Sequence, residues 1–243
     1  MTEKNKANVP LNFKTGLSDG LPIGLGYLSV SFAFGVQASL LGIPLFMSVF
    51  ISMTNLTSAG QLAGLSVIAA IGTFLEMALT QLVINARYFL MSITLSQRLD
   101  KSFSLPKRFI FSAFITDEIF AIASSKKTVI NTKYFLGLVI LPYCGWSLGT
   151  LLGAAAGSFL PLIVANALGI ALYAMFIAII IPPSLMVKGV LPTVITAAGI
   201  SCAFYYLPFL SKLSQGIAII ITALLTSAIM AFIFPIKGES KNA

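Results

Sequence analysis

The sequence predicts an all-α integral membrane protein: a polytopic helix bundle of about seven transmembrane segments, some of them broken or re-entrant. Of the 243 residues, 58% are hydrophobic and only 9% are charged, whereas soluble domains carry roughly 25% charged residues. Asp, Glu, Lys and Arg are absent from four long stretches: 20–75, 134–187, 189–211 and 213–236. A spanning helix needs about 20 apolar residues, so these stretches are long enough for several transmembrane helices. Short runs of polar residues inside apolar segments, called polar islands below, predict where helices are broken.

Glycine and proline residues divide these stretches into segments, because both residues interrupt helices. The predicted crossing segments are 21–41, 45–69, 73–95, 134–156, 161–181, 189–208 and 214–235. Segment 109–125 is shorter and amphipathic. We expect a polar cytoplasmic N-terminus at 1–18, a single transmembrane transport domain at 19–236, and a cytoplasmic tail at 237–243.

Several classes of chemistry are excluded by residues that the sequence lacks. There is no histidine, which removes Ser-His and Cys-His catalysis and the common zinc and haem sites. There is no GxxxxGK[ST] nucleotide loop. The two cysteines stand alone in apolar segments, so we expect no catalytic residue, no metal and no cofactor. The net charge of +8 is attributed to basic loops that set orientation rather than to nucleic-acid binding.

The Lys and Arg residues of the loops allow three topologies. Eight crossings would put roughly nine basic residues inside and five outside; seven crossings with the N-terminus outside would give roughly ten and four. In the third, segment 45–69 enters and leaves on one side, and 109–125 stays cytoplasmic. Roughly thirteen basic residues then lie inside and only Lys212 outside, with Arg87 in the membrane. We favour the third topology.

A polar island within segment 45–69 predicts a break in that helix. A half-helix that begins there exposes unpaired N–H groups and a partial positive charge, which suits a carboxylate at the membrane midplane. Thr57 or Ser58 could cap the second half. The alternative is that small polar residues only permit tight packing. The predicted substrate-binding residues are Asn55, Thr57, Ser58, Gln61 and, on the following segment, Asn85.

Ionisable side chains in or beside apolar segments are the second signal, because facing lipid would cost each of them several kcal/mol. They are Asp19, Glu76, Arg87, Asp117 and Glu118. Glu76 and Arg87 share a helix face but are about 16 Å apart, so Arg87 needs Asp117 or Glu118 as its partner. Alternatively, Glu76 lies at the headgroups and Arg87 snorkels to the surface.

Segment 109–125 contains the polar island Thr116-Asp117-Glu118. Thr116 can cap a helix whose first turn carries both acids, where the dipole favours them. That arrangement predicts two half-helices rather than one crossing, and the alternative is an interfacial helix. Neighbouring acids point about 100° apart on a helix, so we expect them to serve different partners, as a proton relay or an ammonium site.

Four glycines recur at every fourth position and predict a helix–helix packing stripe. The stripe could be internal to the chain or shared with another subunit. Its members are Gly145, Gly149, Gly153 and Gly157.

Five short motifs resemble successive signatures of the AzlC family. They are Asp19-Gly-Leu-Pro-Ile-Gly-Leu-Gly-Tyr27, Ser58-Ala-Gly-Gln61, Asn85-Ala-Arg-Tyr-Phe-Leu-Met91, Thr116-Asp-Glu-Ile-Phe-Ala121 and the stretch 143–157. The resemblance implies the large subunit of a branched-chain amino-acid exporter in a bacterial plasma membrane. It also implies a small membrane partner of the AzlD type.

The expected function is therefore secondary transport of an aliphatic amino acid out of the cell. The broken helix would hold the substrate carboxylate, and Asp117 or Glu118 would receive an ammonium group or a proton. The alternative function is a non-transporting membrane subunit that scaffolds or regulates a transport complex through the glycine stripe.

Overall fold

A computed structural model describes residues 11–157, 159–161, 163–164, 167, 177, 180–181 and 184–235. Within these residues the regular structure is helical. The helices are α1 (Phe13–Leu40), α2 (Leu45–Thr54), α3 (Ser58–Ala69), α4 (Phe74–Ser96), α5 (Leu105–Ser112), α6 (Asp117–Ser125), α7 (Thr132–Gly157), α8 (Val190–Tyr206) and α9 (Gln215–Ile233). The all-α prediction is confirmed for this part of the chain.

Among the described residues, four helices are long and apolar enough to cross a membrane: α1, α4, α7 and residues Gly216–Ile233 of α9. The helices α2, α3 and α8 are apolar but shorter, at 10 to 17 residues. The predicted segment 161–181 falls largely outside the described residues. The count of about seven crossings and the favoured topology therefore stay predictions.

Helix α1 begins earlier than expected. It starts at Phe13 rather than at residue 21, so part of the predicted polar N-terminus is helical. Asn12 is the cap, because the Thr15 N–H donates to its Oδ1 at 3.0 Å. The polar first turns stay helical because Gly16 and Gly20 lie directly on the backbone of α7.

The described residues form two compact units. Unit 1 comprises described residues up to 62 and those between 85 and 172, and unit 2 comprises 63–84 and those from 173 onward. Unit 1 contains α1, α2, α5, α6, α7, the first five residues of α3 and the part of α4 from Asn85 onward. Unit 2 contains α8, α9, the rest of α3 and the first part of α4.

Unit 1 is built on the pairing of α1 with α7. A Cβ added to Gly24 would lie 2.8 Å from the Leu141 carbonyl oxygen, and one added to Gly145 would meet the Gly24 carbonyl. Gly149 and Gly153 meet the α1 backbone in the same way, and Gly157 meets Ser39. The glycine stripe is therefore a helix–helix contact, as predicted, and it lies inside this chain.

Candidate functional site

The segment 45–69 is broken at its polar island. Helix α2 ends at Thr54 and α3 begins at Ser58. Thr57 caps α3, since its Oγ1 accepts from the Gly60 N–H at 3.3 Å. The prediction of a break with a threonine cap is confirmed.

Two backbone donors remain open at the start of α3. Among the described residues, the N–H groups of Ser58 and Ala59 have no hydrogen-bond partner. Both residues are half-buried. The first N–H groups of a helix carry its partial positive charge, so this position can accept an anion without rearrangement of the backbone.

The other end of the break is held by α7. The Tyr143 hydroxyl donates to the Met53 carbonyl at 3.3 Å, near the C-terminus of α2. Leu56, inside the break, is buried against Tyr27 and Trp146. The break is thus held by the apolar contact of Leu56 and by the hydrogen bond from the Tyr143 hydroxyl to the Met53 carbonyl.

Thr57 also joins the break to α4. Its hydroxyl donates to Asn85 Oδ1 at 3.0 Å and accepts from the Tyr88 hydroxyl at 3.3 Å. Together with the Gly60 N–H, these bonds use one donor and two lone pairs, which is the full capacity of a hydroxyl. Tyr88 in turn accepts from Arg87 Nη2 at 3.2 Å.

Arg87 pairs with Asp117. Its Nη1 lies 2.9 Å from Asp117 Oδ2, and each side chain is 42% exposed. The prediction that Arg87 needs one of these two acids is confirmed, with Asp117 as the partner. The chain itself therefore buries the pair only partly.

The structure also confirms a helix break before Asp117. Helix α5 ends at Ser112, α6 begins at Asp117, and the Ile119 N–H donates to the Thr116 hydroxyl at 3.4 Å. Thr116 therefore caps α6. The two acids sit in the first turn of α6, at the positive end of its dipole.

The neighbouring acids serve different partners, as expected from their angular spacing. Glu118 Oε2 lies 2.5 Å from the Tyr27 hydroxyl, and Thr116 Oγ1 lies 2.6 Å from the same hydroxyl. A carboxylate only accepts, so Tyr27 donates its proton to Glu118 and accepts from Thr116. Glu118 is thereby tied to α1, while Asp117 is tied to α4.

Gln61 lies in a buried polar network rather than at the surface of the break. It is 2% exposed, its Nε2 donates to Ser52 Oγ at 2.8 Å, and its Oε1 accepts from Trp146 Nε1 at 2.9 Å. Ser52 lies 2.7 Å from Thr150 Oγ1. These contacts fasten α2 and α3 to α7, so the geometry favours a positioning role for Gln61.

Asp19 lies at the other end of α6. Its Oδ2 is 2.7 Å from Lys126 Nζ and accepts from the Tyr134 hydroxyl at 2.7 Å. Arg98 donates to the carbonyl oxygens of Ser124 and Lys126. Asp19 is therefore a charge-pair residue that does not join the cluster around Arg87.

Glu76 belongs to unit 2. It is buried, and its Oε1 accepts from the Gly216 N–H at 2.9 Å, at the start of α9. The carboxylate is therefore enclosed by the chain itself, at whatever depth of the membrane it lies. Its partner is a helix N-terminus, which favours negative charge.

Sequence reasoning missed five residues of the unit 1 site. They are Tyr27, Ser52, Tyr88, Trp146 and Thr150. Tyr27, Tyr88 and Trp146 fall inside motifs that were already singled out, but nothing in the sequence around them indicates a hydrogen-bond partner. Ser52 and Thr150 resemble ordinary small residues of helix contacts.

Comparison with known proteins agrees with the resemblance to the AzlC family. The family model described as AzlC protein matches residues 22–160. The inner membrane protein YgaZ of Escherichia coli (strain K12) is 32% identical over 177 residues, covering 70% of this chain and 72% of that protein. An uncharacterized membrane protein of Archaeoglobus fulgidus is 32% identical over 173 residues, covering 70% and 75%. No solved structure matches.

Proposed function

This chain belongs to the AzlC family of membrane proteins, and from that premise we propose that it exports branched-chain amino acids by secondary transport. Family membership is consistent with membrane transport in general. The substrate, the direction and the bacterial plasma membrane as its location are our proposal. The resemblance of five motifs supports it, and so does the polar cluster of unit 1, which consists of Thr57, Asn85, Arg87, Tyr88 and Asp117.

The open N-terminus of α3 carries this proposal. The unpaired N–H groups of Ser58 and Ala59 offer two donors and a partial positive charge to a carboxylate. No acidic residue stands in the first turn of α3 to occupy them. An amino acid presents such a carboxylate whatever its side chain.

The Arg87–Asp117 pair supplies the second half of the site. Arg87 reaches the α3 cap through Tyr88, so Asp117 is linked to the carboxylate position by a chain of contacts. In our proposal the substrate ammonium displaces Arg87 from Asp117, and Asn85 fixes the Thr57 hydroxyl. Asn55 stands at the end of α2 and contributes neutral hydrogen bonds.

Apolar side chains beside the break favour an aliphatic substrate. Tyr27, Leu56 and Trp146 form one buried cluster, and Phe114 meets Tyr143 edge-to-face at 5.2 Å. Such surroundings gain free energy from burying a branched aliphatic chain and penalise a charged one.

In our proposal the energy for export comes from a substrate or ion gradient, or from another protein, since the sequence carries no nucleotide-binding loop. Glu118, held by Tyr27, is the group that we propose for proton or charge coupling in unit 1. Asp19 and Glu76 are proposed as charge-pair residues that hold helix ends.

Efflux of labelled leucine from dipeptide-loaded cells tests the site. Arg87→Ala and Asp117→Asn should each abolish efflux at unchanged membrane abundance, because each leaves a charge without its partner. Asp100→Asn and Lys212→Ala, which change charges outside the proposed site, should leave efflux intact. Normal efflux in both site variants would refute the assignment.

A charge-swapped double variant, Arg87→Asp with Asp117→Arg, separates a binding site from a structural ion pair. If the pair only holds helices together, the swap restores efflux. If Asp117 receives the substrate ammonium, the swap places a guanidinium there and efflux stays absent.

The second candidate function is a scaffold or regulatory subunit, whose contact with a partner would lie outside the glycine stripe, since α1 of this chain occupies that stripe. We also propose a small AzlD-type membrane partner for the transporter. Reconstitution of the purified chain in vesicles, with and without that partner, distinguishes the two functions. Transport by this chain is supported if the leucine flux requires the chain and falls in Asp117→Asn. The scaffold function is supported if this variant leaves the flux unchanged.

A further inference from the structure

Unit 1 contains an apolar cavity that shares no residue with the polar cluster. Its volume is about 250 Å³, and it is lined by the C-terminal part of α4, by α5 and by α7. Four phenylalanines form much of its wall: Phe89, Phe103, Phe111 and Phe135. Ligand pockets usually measure roughly 300–1,000 Å³, so this cavity suits a length of hydrocarbon chain better than a whole polar solute.

Helix α5 beside the cavity is amphipathic and has no buried residue. Its outward apolar side chains, Leu105, Phe109 and Ile110, are between 60% and 83% exposed. Phe111 anchors it, through edge contacts with Phe103 at 5.7 Å and Phe135 at 5.5 Å. A short helix with an exposed apolar face and cations beside it is typical of a membrane interface.

Cations outnumber acids around the cavity. Residues 97–108 carry four basic side chains and one acid, Asp100. Asp100 already accepts from the Ser102 N–H and hydroxyl. Within the part of the chain that the structure describes, no carboxylate pairs with Lys107 or Arg108.

Arg108 connects this charge to the cavity. Among the described residues that line the cavity, it is the one with a charge. Its Nε donates to the Phe103 carbonyl at 3.2 Å, and among the described residues its two Nη groups have no partner. A guanidinium held at Nε, with both Nη groups open, presents the paired donors that a phosphate accepts.

We propose that this cavity binds an anionic phospholipid, with part of an acyl chain among the four phenylalanines and the phosphate on Arg108. Lys107 adds a second cation at the same surface, although its Nζ also donates to the Ser102 carbonyl at 3.0 Å. Basic pockets between membrane helices bind anionic headgroups in this way. The site is independent of the transport site, because it shares no residue with it.

Photo-crosslinking tests the proposal on the full chain in phosphatidylcholine nanodiscs. The probe is phosphatidylglycerol with a diazirine in one acyl chain, compared with the same probe built on phosphatidylcholine. We expect adducts on residues 89–115 to be about fivefold more abundant with phosphatidylglycerol, the preference expected of one cation near the surface. Arg108→Gln should remove that preference and Arg108→Lys should keep most of it.

Two further variants distinguish the cavity from general surface attraction. Ser92→Phe fills the cavity and should reduce adducts from both lipids, whereas Lys212→Gln in unit 2 should change neither. Equal labelling by the two lipids, or an unchanged preference in Arg108→Gln, would overturn the proposal. Competition by millimolar inorganic phosphate would also overturn it, by identifying a site for free phosphate. Leucine efflux in Arg108→Gln should stay normal.

Discussion

The two half-helices that begin in unit 1, α3 and α6, use the same backbone device for different ends. Each follows a break, and each begins with a threonine cap, Thr57 or Thr116. The first turn of α6 carries Asp117 and Glu118. The first turn of α3 carries no acid.

This difference indicates where a foreign carboxylate can bind. The positive end of α6 already has two acids of the chain itself, and those acids are tied to Arg87 and Tyr27. The positive end of α3 carries no acid, and among the described residues the N–H groups of Ser58 and Ala59 have no partner. One terminus is therefore neutralised internally, and the other remains available to a substrate.

Among changes at the starts of the two half-helices, placing an acid at the start of α3 should have the largest effect. In Ser58→Asp the new carboxylate lies where the dipole favours it and competes with the substrate carboxylate for the same donors. We expect leucine efflux to fall at least about tenfold, the equivalent of about 1.4 kcal/mol of binding free energy. Membrane abundance should stay unchanged, since an acid at this position stabilises a helix.

Ser58→Asn is the matched control, because asparagine has the same shape as aspartate but carries no charge. Efflux in this variant should stay near wild type. If Ser58→Asp transports leucine normally, the start of α3 is not the carboxylate site, and the contrast between the two termini loses its functional meaning.

Removing the two caps gives a smaller and graded effect. Thr57 makes three hydrogen bonds, to Gly60, Asn85 and Tyr88, whereas Thr116 makes two, to Ile119 and Tyr27. Loss of a cap costs about 1 kcal/mol, and each further hydrogen bond about 1 kcal/mol. Thr57→Ala should therefore destabilise unit 1 more than Thr116→Ala, by about 1 kcal/mol.

Unfolding of the purified chain in SDS, followed by circular dichroism, measures that order. Thr57→Ser and Thr116→Ser keep the hydroxyl groups and should stay close to wild type. A larger loss for Thr116→Ala than for Thr57→Ala would contradict the role of Thr57 as the hub that joins the break to α4.

The sequence predicted the parts of this site that local signals determine. Polar islands in apolar segments indicated both breaks, and helix geometry assigned Asp117 and Glu118 to different partners. Arg87 had to pair with an acid because an unpaired charge among apolar segments is costly. Glycine spacing predicted the packing of α7, although only the structure shows that α1 is its partner.

The contacts that sequence reasoning missed join residues far apart in the chain. Tyr27 and Glu118 are separated by 91 positions, Gln61 and Trp146 by 85, and Ser52 and Thr150 by 98. A single hydroxyl or indole in an apolar helix suits lipid, packing or hydrogen bonding equally well. The hydrogen-bond partner of each such group can be identified only when the structure places α1, α6 and α7 side by side.

The contact between Tyr27 and Glu118 gives the smallest of these effects. Tyr27→Phe removes the hydroxyl but keeps the ring, whose centroid lies 5.1 Å from that of Trp146 in an edge contact. A hydrogen bond to a charged group contributes about 1.5–3 kcal/mol, so we expect destabilisation near the lower value and efflux reduced only a few-fold.

A double-mutant cycle with Glu118→Gln measures the coupling between the two side chains. We expect a coupling free energy of about 1 kcal/mol, since contacting residues couple by roughly 0.5–3 kcal/mol. Additive effects would mean that Tyr27 does not hold Glu118, and that the acids of α6 are not both occupied by the chain. In that case α6 would offer an open carboxylate to an ammonium group or a proton. The starts of α3 and α6 would then differ in the charge that they attract, and not in whether the chain itself occupies them.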